Sequence, residues 1–595
     1  MATLTASPGV ERLSKRNLWG YSLGGIGRDM TYTLVNVYLT LFILFTKGLS
    51  TTEYGAVGII FIVCRIFDGC NDPFMGMLIE KTRTKIGKFK PWILAGCFSN
   101  IVIILLLFFV PLQGASYVIF FAFGYLLWGI TYTMNDISYW GMMPSLTSHP
   151  TDRNNLSTIA NVGAGVGAGL CVILIPTLTA GGTALGGNTQ TAYQIIACVV
   201  CVLFAACQVM TCCVVKEKPL PPATAENKDK RGLGAMFKVV LKNDQLLVTA
   251  GSMLLYNVGS AIMNSLYTYW VYLRFGYNGI LCTVFSVLTG ISMAIIVFYP
   301  ILSKKLTRKQ LAKICVSTVV AGYALMLTLA LITGSIDGAD SIGIMLDENT
   351  ILSVPFIFIG LCGAIASFGQ ALYYQVLTIS VSNTVEYNDL KTGKRDEGII
   401  FAVRPFMAKM GSSIVKAIET VALIALGIDL LAKDISEQVQ LNALGRNDES
   451  TMLTNINNIL ADATDGTDQW VIVCMAVFPI LFILASFILY MKKFKIDEKE
   501  YDRICEEIKI RDAAAENGEC TCDCDCECDC AGGECTCDCD ENCDETCTCS
   551  CHAEAPVDEV VEEVAADETP AEEVAAEEAS AEEVSVDETP ATDAE

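Results

Sequence analysis

Asp68, Asn71 and Asp72 lie close together inside a strongly apolar stretch. On a helix, offsets of three and four residues put all three on one face, with Arg65 one turn earlier on the same side. Two carboxylates one turn apart repel unless a cation or a proton lies between them. Oxygen ligands of this kind suit a hard cation, so Na⁺ or H⁺ is the expected occupant. Thr133, Asp136 and Trp140 form a second helical face, with Tyr132 beside it. A hydroxyl can join a cation site. A carboxylate beside an indole is sugar-binding chemistry: the acid accepts bonds from hydroxyls while the ring packs on the apolar sugar face. Arg28 and Asp29 are adjacent and are expected to point apart. Arg404 and Lys409 fall in a later apolar segment, where Lys416 and Glu419 can pair with each other. The early charges are net acidic and the later ones net basic, as two complementary walls of a cavity would be. A cation that competes with Lys409 for the carboxylates would couple ion binding to a change of shape. The plainer alternative is a set of static ion pairs holding a bundle together.

The elements that must carry these residues are membrane helices. Of 595 residues 52% are hydrophobic, and the mean hydropathy is +0.46. The apolar residues fall in blocks of about 20 or more, long enough to cross a bilayer. Six blocks lie in residues 19–215 and six in 246–491, with a polar linker at 216–245 containing Pro219, Pro221 and Pro222. The expected fold is an all-α polytopic membrane protein, twelve transmembrane helices in two six-helix halves. Residues 1–18 and 492–518 flank it as an N-terminal and a juxtamembrane segment. Lys81, Arg83, Lys85, Lys88 and Lys90 crowd the loop after the second block; Lys304, Lys305, Arg308, Lys309 and Lys313 crowd the loop after the eighth. Positive-inside reasoning then places both termini in the cytoplasm of a multi-pass plasma-membrane protein. The matching positions of the two loops are a weak internal repeat. Gly163, Gly165, Gly167 and Gly169 offer small surfaces for close helix approach. The polar stretch Asp429 to Gln469 is expected to be an extracellular loop.

The net charge of −25 is the sum of two regimes. From Asp512 onward there are 30 acidic residues and no Lys or Arg, so the preceding residues are mildly basic. The tail divides at 519–552 and 553–595. In the first part Cys520, Cys522, Cys524, Cys526, Cys528 and Cys530 begin a run of 13 of the 27 cysteines, alternating with Asp, Glu and Thr. Such thiolates could bind Zn²⁺ or another soft metal, although no paired spacing marks a discrete zinc fold. The second part is highly charged with little to bury, which predicts disorder.

The stretch Arg65–Pro73, followed by Gly87-Lys88-Phe89-Lys90-Pro91-Trp92, resembles the glycoside–pentoside–hexuronide:cation symporters of the major facilitator superfamily. Gly27-Arg28-Asp29, Tyr132–Asp136 with Trp140, Lys242–Gln245, Tyr256-Asn257 and Lys409 extend the resemblance over residues 17–500. It implies a cation site at Asp68, Asn71, Asp72 and Thr133. It implies a sugar site at Asp29, Asp136 and Trp140, with Arg28 next to them, and a lysine near the cation site at Lys409; with the charge pattern, coupling is expected through Lys409 and Arg65, and Tyr132 is expected beside the sugar. There are departures. The family pattern has an arginine where this chain has Asn161, and a glutamine and a threonine where it has Arg404 and Pro405. Arg404 would suit a carboxylate-bearing sugar such as a hexuronide.

The expected activity is therefore symport of a sugar-like solute with a monovalent cation, by a monomer in the bilayer, without a cofactor or nucleic acid. The rivals are a carrier of another solute class and a transporter-like sensor whose tail is the output. No Walker-type loop supports ATP-driven pumping. With two histidines, His149 and His552, and no nucleophile–base pairing, an enzyme is not expected.

Overall fold

The computed structural model describes residues 13–147, 150–217, 240–290, 299–303, 305–336, 338–347, 350–393, 396–463 and 466–517. The chain forms two compact units, residues 1–509 and 510–595. In the second, the described part is helical residues 510–517. The metal and disorder expectations for residues 519–595 lie outside the described residues.

The first half comprises α1 (Lys15–Thr46, with a π-helical turn at Leu34–Tyr38), α2 (Thr51–Lys81), α3 (Lys90–Phe109), α4 (Gly114–Met142), α5 (Pro150–Thr179) and α6 (Thr189–Val214). The second comprises α7 (Asp244–Phe275), α8 (Gly279–Gly290, helical again over Tyr299–Ser303), α9 (Arg308–Gly334), α10 (Val354–Thr392), α11 (Glu397–Ala425), α12 (Ile428–Ala443), α13 (Glu449–Ala461) and α14 (Thr467–Lys493), followed by α15 (Glu498–Asn517). Among the described residues nine helices are long and apolar enough to cross a membrane. With α2, α8 and α11 they make the expected twelve. A small antiparallel pair, β1 (Gly343–Asp347) and β2 (Thr350–Ser353), precedes α10.

Local chemistry sets the helix ends. Ser50 and Glu53 form a reciprocal capping box on α2, and Thr307 and Gln310 do the same on α9. Gly393, at φ +66°, closes α10 in the left-handed conformation that glycine adopts without strain. Pro73 lies inside α2 beside Asp72, and Pro405 inside α11 beside Arg404. Each proline leaves the carbonyl four residues earlier, on Gly69 and Phe401, without its helical donor.

The packing repeats between the halves. In the first, α1 packs on α5 and α6, α4 on α2 and α3, and α3 on α6. In the second, α7 packs on α11 and α14, α10 on α8 and α9, and α9 on α14. Across the halves α2 meets α11 and α5 meets α8, a reciprocal pair. Two parallel repeats give this pattern. Gly163 and Gly167 pack against the α1 backbone at Ser22 and Ile26, whereas a Cβ on Gly165 or Gly169, on the other side of α5, would meet nothing among the described residues. The first two serve close approach.

The polar stretch between α11 and α14, expected as a loop, carries a hairpin of two helices, α12 and α13. The buried residues Ile428, Ala432, Ile435 and Val439, then Met452, Ile456 and Leu460, recur at helical spacing within a polar composition. Average polarity conceals such a face; its period exposes it.

The described hydrogen bonds between the halves cluster at the end away from where α1 begins and α14 stops. Thr177 meets Thr283 at 2.7 Å, and Thr189 meets the Tyr277 hydroxyl at 2.9 Å. Asn188 donates to the Val439 carbonyl at 2.8 Å, and Gln440 to the Thr46 carbonyl at 3.2 Å. The Phe45 ring lies among Tyr269, Tyr272 and Tyr277.

Candidate functional site

Four carboxylates sit on the inner faces of α1, α2 and α4, each against a basic group. Arg65 lies 3.5 Å from Asp68, one turn along α2. Lys409, on α11 of the other half, donates to Asp72 at 2.5 Å. Arg28 serves two acids: its Nη2 is 2.5 Å from Asp29 and its Nη1 3.0 Å from Asp136 on α4. The expectation that Arg28 and Asp29 point apart is therefore wrong. Their Cβ atoms diverge, but the long arginine side chain curls back to its neighbour while reaching across to α4. The guanidinium also lies 4.6 Å from the Tyr139 ring centre and 4.7 Å from that of Trp140, a cation–π arrangement.

Burial is uneven. The Arg28 and Arg65 side chains are 3% and 7% exposed, while those of Asp72 and Asp136 are 32% and 36% exposed. The two arginines are thus held in the wall, while Asp72 and Asp136 are half-exposed; Asp68 is as buried as Arg65, and Lys409 is partly exposed. Thr133 lies beside Asp72. Oδ1 of Asp72 and Nδ2 of Asn71 are buried without a hydrogen-bond partner among the described residues. The predicted cation-site residues are therefore together, with unsatisfied polar atoms, and a lysine ammonium already supplies positive charge there. Among the described residues no three His, Cys, Asp or Glu side chains converge as a metal centre.

An aromatic ladder carries α4 to this point. Tyr117, Phe121, Tyr125, Trp128 and Tyr132 stack in sequence, with the last three links at 5.3–5.4 Å between ring centres. Such pairs contribute roughly 0.5–1.5 kcal/mol each beyond simple burial. Tyr132 also lies 5.2 Å from Tyr32 on α1, and the Arg65 guanidinium sits between Tyr32 and Trp128 at 5.9 and 5.8 Å. Tyr132 is thus a buried wall residue, and Trp140 is partly exposed at the cleft.

Sequence reasoning missed Gly129, Tyr32 and the π-helical turn of α1. A methyl group on Gly129 would overlap the Asp68 carboxylate, so the bare α4 backbone is what admits Asp68. A glycine inside an apolar helix carries no mark of its partner, and no local signal identified it. Arg404 is exposed, donates to the Tyr374 hydroxyl at 2.9 Å and lies over that ring, within its own half. Asn161 is exposed and bonds back to the Ser157 carbonyl at 2.8 Å.

The fold is shared with a solved bacterial homologue of the human lysosomal transporter Spinster, at a TM-score of 0.52 and 13% identity, covering 81% of this chain and 98% of that one. Among curated proteins, the raffinose carrier protein of Pediococcus pentosaceus is 28% identical over 66% of this chain and 60% of its own length. A lactose permease of Lactobacillus delbrueckii subsp. bulgaricus is 28% identical over 68% and 61%. An isoprimeverose transporter of Lactiplantibacillus pentosus is 25% identical over 72% and 84%. The chain thus spans about three fifths of the length of the first two relatives. The profile of the MFS/sugar transport proteins matches residues 20–498. These are families of transporters rather than enzymes, and the chain belongs to the MFS/sugar transport protein family, as its resemblance to the glycoside–pentoside–hexuronide symporters implies.

Proposed function

We propose that the protein is a secondary-active symporter that carries a sugar or glycoside together with Na⁺ or H⁺ by alternating access, as a monomer in the plasma membrane with both termini cytoplasmic. The observation that carries this reading is the Lys409–Asp72 contact, which joins the two halves at the candidate cation site. Asp68, Asn71, Asp72 and Thr133 form the cation site. Asp29, Asp136 and Trp140 grip sugar hydroxyls and an apolar sugar face, and Arg28 orients the two acids. When no cation is bound, Lys409 compensates Asp72. A bound cation displaces that ammonium, loosens α11 from α2 and permits the halves to rearrange. Arg65 keeps the Asp68 charge tolerable throughout. The relatives named for raffinose, lactose and isoprimeverose support a sugar-like solute. Arg404, held on Tyr374 beside Pro405, would reach a uronide carboxylate only after leaving that ring.

The test is uptake of labelled mono- and disaccharides, including a uronide, into proteoliposomes with imposed Na⁺ or H⁺ gradients. Accumulation should follow one gradient and disappear in Asp72→Asn. Failure of every sugar to move in correctly inserted protein would return the assignment to another solute class.

A further inference from the structure

Beyond the Lys409 contact, α11 carries a second, partly buried lysine that reaches the other half. Lys416 donates to the Thr40 hydroxyl of α1 at 2.9 Å and to the Glu419 carboxylate at 2.9 Å, and its ammonium lies 5.5 Å from the Phe61 ring centre of α2. The side chains of Lys416 and Glu419 are 15% and 4% exposed. Four residues farther, Thr420 fills the notch left by Gly58 on α2, with atoms 2.6 Å from where a glycine Cβ would stand. Offsets of seven and four put Lys409, Lys416 and Thr420 on one stripe of α11. All three touch the first half, running from the carboxylate site toward the end where the halves meet.

The chemistry of the two lysines differs. Lys409 borrows a carboxylate from the opposite half and is left without it when that half departs. Lys416 has its carboxylate on its own helix, so its charge stays paired whether or not Thr40 is near. A buried cation without a partner is strongly unfavourable, and a paired one can move with its helix. The bond to Thr40 can therefore break and reform cheaply.

We propose that Lys416, with Glu419 as its resident counter-ion, is a positioning residue for transport that fastens the closed end of the molecule through Thr40. This rests on the alternating-access reading above, and the measurements separate the two. Spin labels introduced as unnatural amino acids at Gln113 and Ser341, exposed positions at the closed end of each half, report the separation by double electron–electron resonance. In the double variant Lys416→Met/Glu419→Gln, which leaves no unpaired charge, and in Thr40→Val, the long-distance population should rise by up to about tenfold, the scale of one charge-assisted hydrogen bond. Thr40→Ser should match the wild type. In uptake, both open-shifted variants should show a lower half-saturation for sugar presented at that end, which mere loss of stability would not produce. An unchanged distance distribution in either open-shifted variant overturns the lock. A shifted distribution in protein that transports no sugar would leave the lock standing and overturn the functional reading instead.

Discussion

Each acidic residue of the cleft is held in place by something that could be removed singly. Gly129→Ala sets a methyl where the Asp68 carboxylate rests, while the apolar packing of α4 is otherwise untouched. Gradient-driven uptake should fall by about tenfold or more, on the scale of losing one well-placed polar contact, with thermal unfolding of the purified protein shifting by only a few degrees. Arg28 is the opposite case, because it is the partner of both Asp29 and Asp136. Arg28→Met leaves two partly exposed acids without their cation and should cost less than the roughly 3–5 kcal/mol of breaking a fully buried pair. Adding Asp136→Asn should recover part of that loss. Thermal unfolding of the single and double variants checks the coupling, and strict additivity would count against a shared network.

At the scale of elements, helix ends do more than stop the chain. Asn188 caps α6 by accepting from the Gln190 and Thr191 amides, and it also donates to α12 of the other half. Asn188→Ala loses a cap worth about 1 kcal/mol and a bond across the closed end. It should therefore accelerate hydrogen exchange in the first turn of α6 and in α12 together, whereas a cap alone would affect α6 only. The last helix, α15, is fastened by charge. Partial burial would raise the Glu498 carboxyl, but the Arg308 amide and guanidinium outweigh it and hold that carboxyl below its usual range. The Glu500 amide, followed by Lys309, does the same for Asp497. Carboxyls depressed in the folded state stabilise it fully above their unfolded values, near 4–4.5. That stabilisation is lost as pH falls through the lowered folded values. Amides from 498 to 509 should consequently lose protection, after correction for intrinsic rates, when the pH is taken from 7 to about 3.5, while those of α4 hold.

For the whole molecule, residues 1–509 form one compact unit that contains all of the candidate site. Truncation after Asn517 should leave gradient-driven sugar uptake at the level of the full chain. Loss of uptake with sugar binding retained would favour a sensor whose output is the tail. The reciprocal meeting of α2 with α11 and α5 with α8 forms two seams between the halves. Charge lies on the first pair and hydroxyl contacts on the second: Lys409 on Asp72 against Thr177 on Thr283. On the proposed reading, an ion bound at Asp72 would act on one of the two seams directly.

What the sequence by itself determined is what depends on neighbours along the chain. Apolar block length made the spans. Offsets of three and four set the Asp68, Asn71 and Asp72 face and the Arg65–Asp68 and Lys416–Glu419 pairs, because helix geometry alone brings such residues together. Even the hairpin of α12 and α13 was written in the spacing of Ile428, Ala432, Ile435 and Val439, though polarity hid it. Only the tertiary structure decided the partners that belong to different helices. It took Arg28 to Asp136, Lys409 to Asp72 and Arg404 to Tyr374, placed Gly129 under Asp68, and closed one end of the bundle. The physical reason is reach: a charge pattern states how many partners are needed, and the crossing of packed helices selects which ones are near enough to serve.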